Sequence, residues 1–166
     1  MFRSFVILGL GTGLLFCTRE RKPSEAQLPK PAPRFEDYPA GPPYRGAIAP
    51  PRLDTPGKKN YRTAIRYAAA RGPEFAGHYA VASWGCGTSC QLHAIIDLQS
   101  GAVYMRDLQT ALDVEYRVDS RLFIMNKPEL ARQWCMEGAA LEPTSSYYEW
   151  TGSQLRLIDS VYQCPS

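Results

Sequence analysis

Short runs of alternating hydrophobic and polar residues fill the second half of the chain, and turn-forming residues separate them. Such alternation predicts β-strands that are buried on one face. Tight turns at residues 99–101, 119–120 and 151–153 join neighbouring runs, so we expect antiparallel pairing. The predicted strands cover residues 78–84, 91–98, 102–106, 114–118, 121–125, 147–150 and 154–158.

Two segments carry helical patterns instead. The first begins after Asn60 as N-cap and stops at Gly72. A second helix is predicted over residues 128–137, where Pro128 suits the first position. Strands joined by tight turns and flanked by helices predict an α+β fold, a mainly antiparallel β-sheet with one or two short helices, in a single domain over residues 58–166. The apolar stripe of the first helix consists of Tyr61, Ala64, Ile65 and Ala68.

The first two predicted strands form a hairpin around Cys86 and Cys90. If the two cysteines lie opposite each other across a three-residue loop, Ser83 faces His93, and Asp97 lies on the same face. The other face is apolar, and we expect it to belong to the core. It carries His78, Ala80, Ala82 and Trp84 on one strand and Leu92, Ala94, Ile96 and Leu98 on the other.

This hairpin also carries the residues with potential chemistry. A register slipped by one residue would place His78 beside Asp97, an arrangement suited to acid–base work. Ser83, His93 and Asp97 are the residue set of a hydrolytic triad, but Asp97 lies about 13 Å along the strand from His93. The candidate functional site therefore comprises His78, Trp84, Cys86, Cys90, His93 and Asp97.

Metal binding and redox chemistry are further alternatives at the hairpin. Two thiolates and two imidazoles, the ligands that zinc or cuprous copper prefers, could come from Cys86, Cys90, His93 and His78. Their spacing departs from structural zinc sites, and the spacer between the cysteines is longer than in Cys-x-x-Cys. We therefore expect a structural disulfide, no cofactor and no catalytic residue.

The N-terminal residues have the layout of an export signal. The apolar run over residues 5–16 is shorter than the roughly 17 to 25 residues of a membrane-spanning helix. Its end, LLFC, resembles the lipobox of bacterial lipoproteins, although Phe16 stands where a small residue is usual. The resemblance implies a signal peptide over residues 1–16 and a lipid on Cys17. Ordinary cleavage after Ala26 is the alternative.

Proline dominates the next stretch of the chain. Ten of the 14 prolines lie between Pro23 and Pro56, where they exclude both a helix and a paired strand. We therefore predict an extended tether over residues 17–57, followed by the β-rich domain. The alternative is that residues 35–44 pack their aromatic side chains onto that domain.

The cysteine count fits an exported protein. A lipid on Cys17 would leave four cysteines, which can close two disulfides in an oxidising compartment. Of the three possible connectivities we favour Cys86 with Cys90 and Cys135 with Cys164. The net charge is only +3 and no basic cluster is present in the sequence, which argues against nucleic-acid binding.

Three sequence segments together resemble a group of small exported bacterial proteins of unassigned function. They are FAGHYAVASWGCGTSCQLHAIID at residues 75–97, SRL at 120–122 and YYEW at 147–150. The resemblance implies export and a common β fold. It implies no active site.

Aromatic and acidic residues give two further hypotheses. Tyr148 and Trp150 share one strand face while Tyr147 points away, a pattern that serves sugar or peptide binding but more commonly fills a core. Asp113 and Glu115 share another strand face, as in a glycosidase, although carboxylates on an edge strand are usually just solvated.

Together these features predict an exported protein of the bacterial cell envelope, lipid-anchored and facing the periplasm or the exterior. We expect a noncatalytic binding or structural role, with the membrane as one partner and an envelope protein, a peptide or a glycan as ligand. The alternative is a metal-binding, hydrolytic or redox protein with its site at the Cys86–Cys90 hairpin and the flanking histidines.

Overall fold

In the computed structural model, which describes residues 31–137 and 143–164, eight strands form two antiparallel sheets. The first sheet contains β1 (Tyr79–Gly87), β2 (Cys90–Asp97), β3 (Val103–Tyr104) and β4 (Gln109–Thr110), with β2 paired to all three others. The second sheet, in spatial order, contains β5 (Val114–Tyr116), β6 (Leu122–Met125), β7 (Thr144–Trp150) and β8 (Leu155–Tyr162).

Three α-helices flank these sheets in the described part of the chain. They are α1 (Pro56–Asn60), α2 (Arg62–Ala70) and α3 (Pro128–Met136). With the two sheets and two disulfides, they confirm the predicted α+β, disulfide-stapled fold. The N-cap prediction at Asn60 is wrong, because Asn60 ends α1. Instead, the hydroxyl of Thr55 accepts a hydrogen bond from the backbone N–H of Lys58 at 3.3 Å and caps α1.

Strand bounds differ from the sequence pattern where polar residues are buried. β7 begins at Thr144 rather than at residue 147, because the Ser145 hydroxyl is buried and donates to the carbonyl of Asn126 at 2.6 Å. The predicted strand 102–106 shrinks to β3, and β4 was missed. A two-residue strand is too short to show a periodic pattern.

The two sheets face each other across a core rich in aromatic residues. Phe75 and Phe123 are both fully buried there, with ring centroids 5.3 Å apart. On the outer side of the first sheet, Ile65 and Ala68 of α2 pack against small residues such as Ala80. Both faces of the first sheet are therefore buried over much of its area.

Residues 31–55, which precede α1, pack on the domain. Phe35 and Tyr38 lie against Leu122 and Ile124 on the outer face of the second sheet. Backbone N–H groups between the prolines donate to the domain, as Ala40 does to Asp119 at 2.8 Å and Tyr44 to Gly77 at 2.8 Å, and Arg52 to Gly101 at 2.7 Å.

The compact unit therefore starts at Pro31, not at residue 58. Over residues 31–57 the structure corrects the predicted tether and favours the alternative of packed aromatic residues. Apart from a short 3₁₀ helix at Phe35–Asp37, the proline-rich segment 31–55 has no regular helix or strand, and the residues between the prolines supply the hydrogen bonds that prolines lack. The predicted signal peptide over 1–16, the lipidation site Cys17 and the rest of the tether lie outside the described residues.

Candidate functional site

The β1–β2 hairpin has the register predicted from the sequence up to its tip. Ser83 pairs with His93, and Tyr79 pairs with Asp97. At the tip the register shifts between Gly85 and Gly87, so that Gly87 rather than Cys86 pairs with Cys90. The predicted three-residue loop is therefore wrong. A two-residue turn with a bulge takes its place, and the φ angle of Gly87 is 138°, which favours glycine.

Both predicted disulfides are present, Cys86 with Cys90 and Cys135 with Cys164. The hairpin sulfurs are thus bonded to each other and supply no thiolates. Among the residues that the structure describes, no group of three or more His, Cys, Asp or Glu side chains is arranged to hold a metal ion. The arrangement gives no support to a four-ligand site of Cys86, Cys90, His93 and His78.

His93 lies at the centre of a hydrogen-bonded chain across the first sheet. Its Nδ1 lies 2.7 Å from Ser83 Oγ, and its Nε2 lies 2.9 Å from Thr110 Oγ1. The side chain is 1% exposed, and this burial lowers its pKa to about 4, although Asp113 opposes the shift. His93 is therefore neutral at physiological pH and links three strands.

The triad of Ser83, His93 and Asp97 is not assembled. Thr110 occupies the second ring nitrogen of His93, where a triad would need a carboxylate. Asp97 instead accepts hydrogen bonds from the backbone N–H of Gln99 at 2.8 Å and the hydroxyl of Ser100 at 2.6 Å. Burial opposes ionisation of Asp97, but these hydrogen bonds outweigh it, and the pKa lies below its usual value.

His78 approaches Asp97 without the register slip that the sequence suggested. The imidazole Nε2 lies 3.8 Å from Oδ1 of Asp97, since His78 immediately precedes β1 and Asp97 ends β2. The imidazole also lies against Tyr79, with ring centroids 4.1 Å apart. The pair lies far along the strands from the hairpin tip, so the six candidate residues do not form one site.

Trp84 is a packing residue at the other end of the hairpin. Its indole stacks on Tyr61 with centroids 4.3 Å apart and an interplanar angle of 21°. It closes the cluster that α2 forms with the first sheet. This contact explains why Tyr61, at the junction of α1 and α2, belongs to the apolar stripe.

A cavity of about 580 Å³ opens between the two sheets. It is larger than the cavity of about 420 Å³ beside His78 and the cavity of about 190 Å³ beside Ser83. Tyr104, Tyr148 and Trp150 supply its aromatic wall. Its polar lining residues, all exposed, are Arg106, Asp107, Ser153 and Gln154.

Trp150 lies in the wall of both larger cavities. It is 2% exposed and makes an edge contact with Tyr104 at 5.1 Å between centroids. Burial raises the pKa of the neighbouring Tyr79 hydroxyl, and a hydrogen bond with the Trp150 side chain opposes that shift. Tyr148 is half-buried on the same inner face, whereas Tyr147 packs on the outer face. The predicted division of these three rings between the two faces is confirmed.

The cavity beside His78 also contains a cation, Arg121, which shares the carboxylate of Glu149 with Arg156. Arg121 Nη1 lies 2.7 Å from Oε1 of Glu149, and Arg156 contacts the other carboxylate oxygen. The hydrogen bond from Arg156 and the charge of Arg121 hold the pKa of Glu149 below its usual value, against the effect of burial. One carboxylate balances only one of the two guanidinium groups, so these three side chains together keep one positive charge.

The acidic pair predicted from the sequence lies beside the smallest of these cavities. Asp113 forms an ion pair with Lys127 at 3.2 Å. Burial raises the pKa of Glu115, and nearby Glu129 raises it further. Both carboxylates line the cavity that Ser83 borders.

Sequence reasoning identified part of the larger cavity and missed the rest. Tyr148 and Trp150 were singled out, but Tyr104, Arg106 and Gln154 were not. Tyr104 lies in a two-residue strand and the other two lie in turns, so neither periodicity nor a motif marks them. Their convergence depends on the packing of the two sheets.

The fold and cavity define a class: a small α+β domain with two facing antiparallel sheets, stapled by disulfides and open to a mixed aromatic and polar cavity. No family model matches the sequence, and neither a curated protein nor a solved structure shows significant similarity to it. Within residues 31–137 and 143–164, every helix is too short or too polar to span a membrane. The two disulfides fit an exported protein.

Proposed function

We propose that this protein is an exported, lipid-anchored component of the bacterial cell envelope whose domain binds a ligand without transforming it. The cavity of about 580 Å³ carries this proposal. Its lining combines aromatic and apolar side chains with a larger share of polar surface, and its volume lies in the range of small-molecule sites. Its lining contains no cysteine or histidine.

The state of the hairpin supports a noncatalytic role. A serine beside a histidine suggests a hydrolase, but His93 has a pKa of about 4 because it is buried. A general base works best when its pKa lies near the operating pH. Ser83 Oγ and Thr110 Oγ1 occupy both ring nitrogens, which suits a structural link.

The sequence supports export and anchoring. The short apolar run before Cys17 suits a signal peptide, and a lipid on Cys17 accounts for the odd number of cysteines. The four other cysteines form disulfides, as expected outside the reducing cytosol.

Intact mass of the protein recovered from a bacterial envelope tests this proposal. We expect a lipid mass on Cys17, and no alkylation of cysteines before reduction. In the matched Cys17→Ala variant the lipid mass should disappear while the disulfides remain. An unlipidated wild-type chain would overturn the anchor, and free Cys86 and Cys90 would return the hairpin to consideration as an active site.

A Ser83→Ala variant tests the hydrolytic alternative. With p-nitrophenyl acetate as the probe, we expect wild type and variant to hydrolyse the ester equally slowly. Faster turnover by the wild type, abolished in the variant, would contradict a noncatalytic role.

A further inference from the structure

The geometry points to a short, uncharged saccharide as the ligand of the cavity between the two sheets. This inference rests on the proposed binding function and adds the chemical class of the ligand. We call the site the inter-sheet cavity. Its six defining residues are Tyr104, Arg106, Asp107, Tyr148, Trp150 and Gln154.

The size of the inter-sheet cavity suits an oligosaccharide. Ligand sites for small molecules commonly enclose roughly 300 to 1,000 Å³. The volume of about 580 Å³ lies inside that range. Two or three sugar rings therefore fit, whereas a folded partner would contact only the rim.

The aromatic wall suits the faces of sugar rings. Tyr104 and Tyr148 are half-buried, so part of each ring remains open to the cavity. A pyranose has C–H groups on its faces and hydroxyls around its edge. Its faces can pack on tyrosine rings, which provide a large apolar surface at low conformational cost.

The polar lining suits hydroxyl groups and disfavours net charge. Arg106 and Asp107 are adjacent in the sequence and of opposite sign, so together they give the lining no net charge. Gln154 and Ser153 of the same lining supply neutral donors and acceptors. A ligand of either net charge meets one attractive and one repulsive group, but hydroxyls can hydrogen-bond to all four.

A peptide is the competing class of ligand for the inter-sheet cavity. Peptides that bind beside a sheet usually add a strand to a free edge. The edge strand β3 has only two residues and offers few backbone partners, whereas β8, the edge of the second sheet, has eight residues and begins at Leu155 in the cavity wall.

Calorimetry with the full protein in a non-glycosidic detergent tests the inference. The probes are cellotriose, maltotriose and N,N′,N″-triacetylchitotriose. We expect at least one to bind with a dissociation constant below about 1 mM, which corresponds to about 4 kcal/mol. The Tyr148→Ala and Gln154→Ala variants should weaken binding about tenfold or more. Tyr162→Ala, an exposed tyrosine outside the cavity, is the matched control and should leave binding unchanged.

The second variant protects the test against misfolding. Tyr148 packs partly against the core, whereas Gln154 is exposed, so Gln154→Ala should keep the fold. Failure of all three probes to bind, or equal weakening in the control, would overturn the saccharide. Binding of an unstructured peptide library that Gln154→Ala abolishes would also overturn it while leaving the binding function intact. A missing lipid or free thiols would count against the proposed function instead.

Discussion

His93 is the buried polar residue on which three strands of the first sheet converge. It joins Ser83 of β1 to Thr110 of β4 through its two ring nitrogens. Burial favours the neutral imidazole, and protonation would place a charge between the sheets that Asp113 offsets only in part. The residue therefore couples the stability of the domain to pH.

We predict that the free energy of unfolding falls by about 3 kcal/mol as pH drops from 6.5 to 4. The pKa of His93 is about 4 in the folded protein and 6.5 as its ordinary value. Between these values the unfolded chain binds a proton that the folded chain excludes. The contribution of His93 to the stability of the folded protein is therefore complete above pH 6.5 and declines as the pH falls below that value. Urea denaturation at a series of pH values measures this.

His93→Gln supplies the comparison for that prediction. Carboxylates such as Asp97 also destabilise the fold when protonated at low pH, and they titrate in both proteins. The variant should be less stable at pH 7 but lose less stability between pH 6.5 and 4. Parallel curves for the two proteins would show that His93 does not titrate as described.

At the same scale, the sequence predicted contacts along the hairpin but not across the sheets. Alternation and the cysteine spacing placed Ser83 opposite His93 correctly, because strand pairing follows a simple period. Thr110 gave no signal, since its strand has two residues and its contact depends on the chain returning to β2. Tyr104 and Trp150 likewise lie far apart in the sequence, and only the packing of the two sheets brings them together.

The two disulfides close loops of different lengths and join different elements. Cys86 and Cys90 are four positions apart at the exposed tip of one hairpin. Cys135 and Cys164 are 29 positions apart and join α3 to the residues after β8. A longer closed loop removes more entropy from the unfolded chain.

We predict that replacing Cys135 and Cys164 with serine costs more stability than replacing Cys86 and Cys90. Loop lengths imply about 3.5 kcal/mol for the first pair and about 2 kcal/mol for the second. Guanidinium denaturation of the two double variants under identical oxidising conditions gives the comparison. A larger loss of stability on replacing Cys86 and Cys90 would mean that their disulfide stabilises more of the domain than the hairpin tip.

Element types were more predictable than the beginning of the domain. Hydrophobic alternation and turn residues identified most of the strands and two helical regions, because tight turns bring sequence neighbours together. The proline-rich segment was assigned to the tether because its composition excludes regular structure. Nothing local indicates that Phe35 and Tyr38 cover Leu122 and Ile124, whose outer face needs a covering layer.

The segment from Pro31 to α1 is part of the whole molecule's packing. The buried Ser120 hydroxyl, with Oγ 2.8 Å from the carbonyl of Phe35 and 2.9 Å from that of Tyr38, helps to hold it in place. Removal of this segment therefore exposes the apolar outer face of the second sheet, which Phe35 and Tyr38 cover.

We predict that a chain starting at Pro31 keeps the stability of the full chain, whereas a chain starting at Arg45 loses about 3 kcal/mol. Phe35 and Tyr38 each bury part of a large ring, and full burial of such a side chain contributes about 1.5 to 3 kcal/mol. Thermal unfolding and binding of a hydrophobic dye should report the uncovered sheet. Equal stability of both chains would mean that the segment only lies on the surface.

If the proposed lipid anchor is present, the early start of the packed domain limits how far the protein can extend from the membrane. With a lipid on Cys17, residues 18–30 alone would separate the anchor from the fold, and even a fully extended chain of that length spans at most about 45 Å. A tether over 17–57 would have allowed about 140 Å. The inter-sheet cavity would then capture its ligand only in the layer next to the membrane that holds the protein.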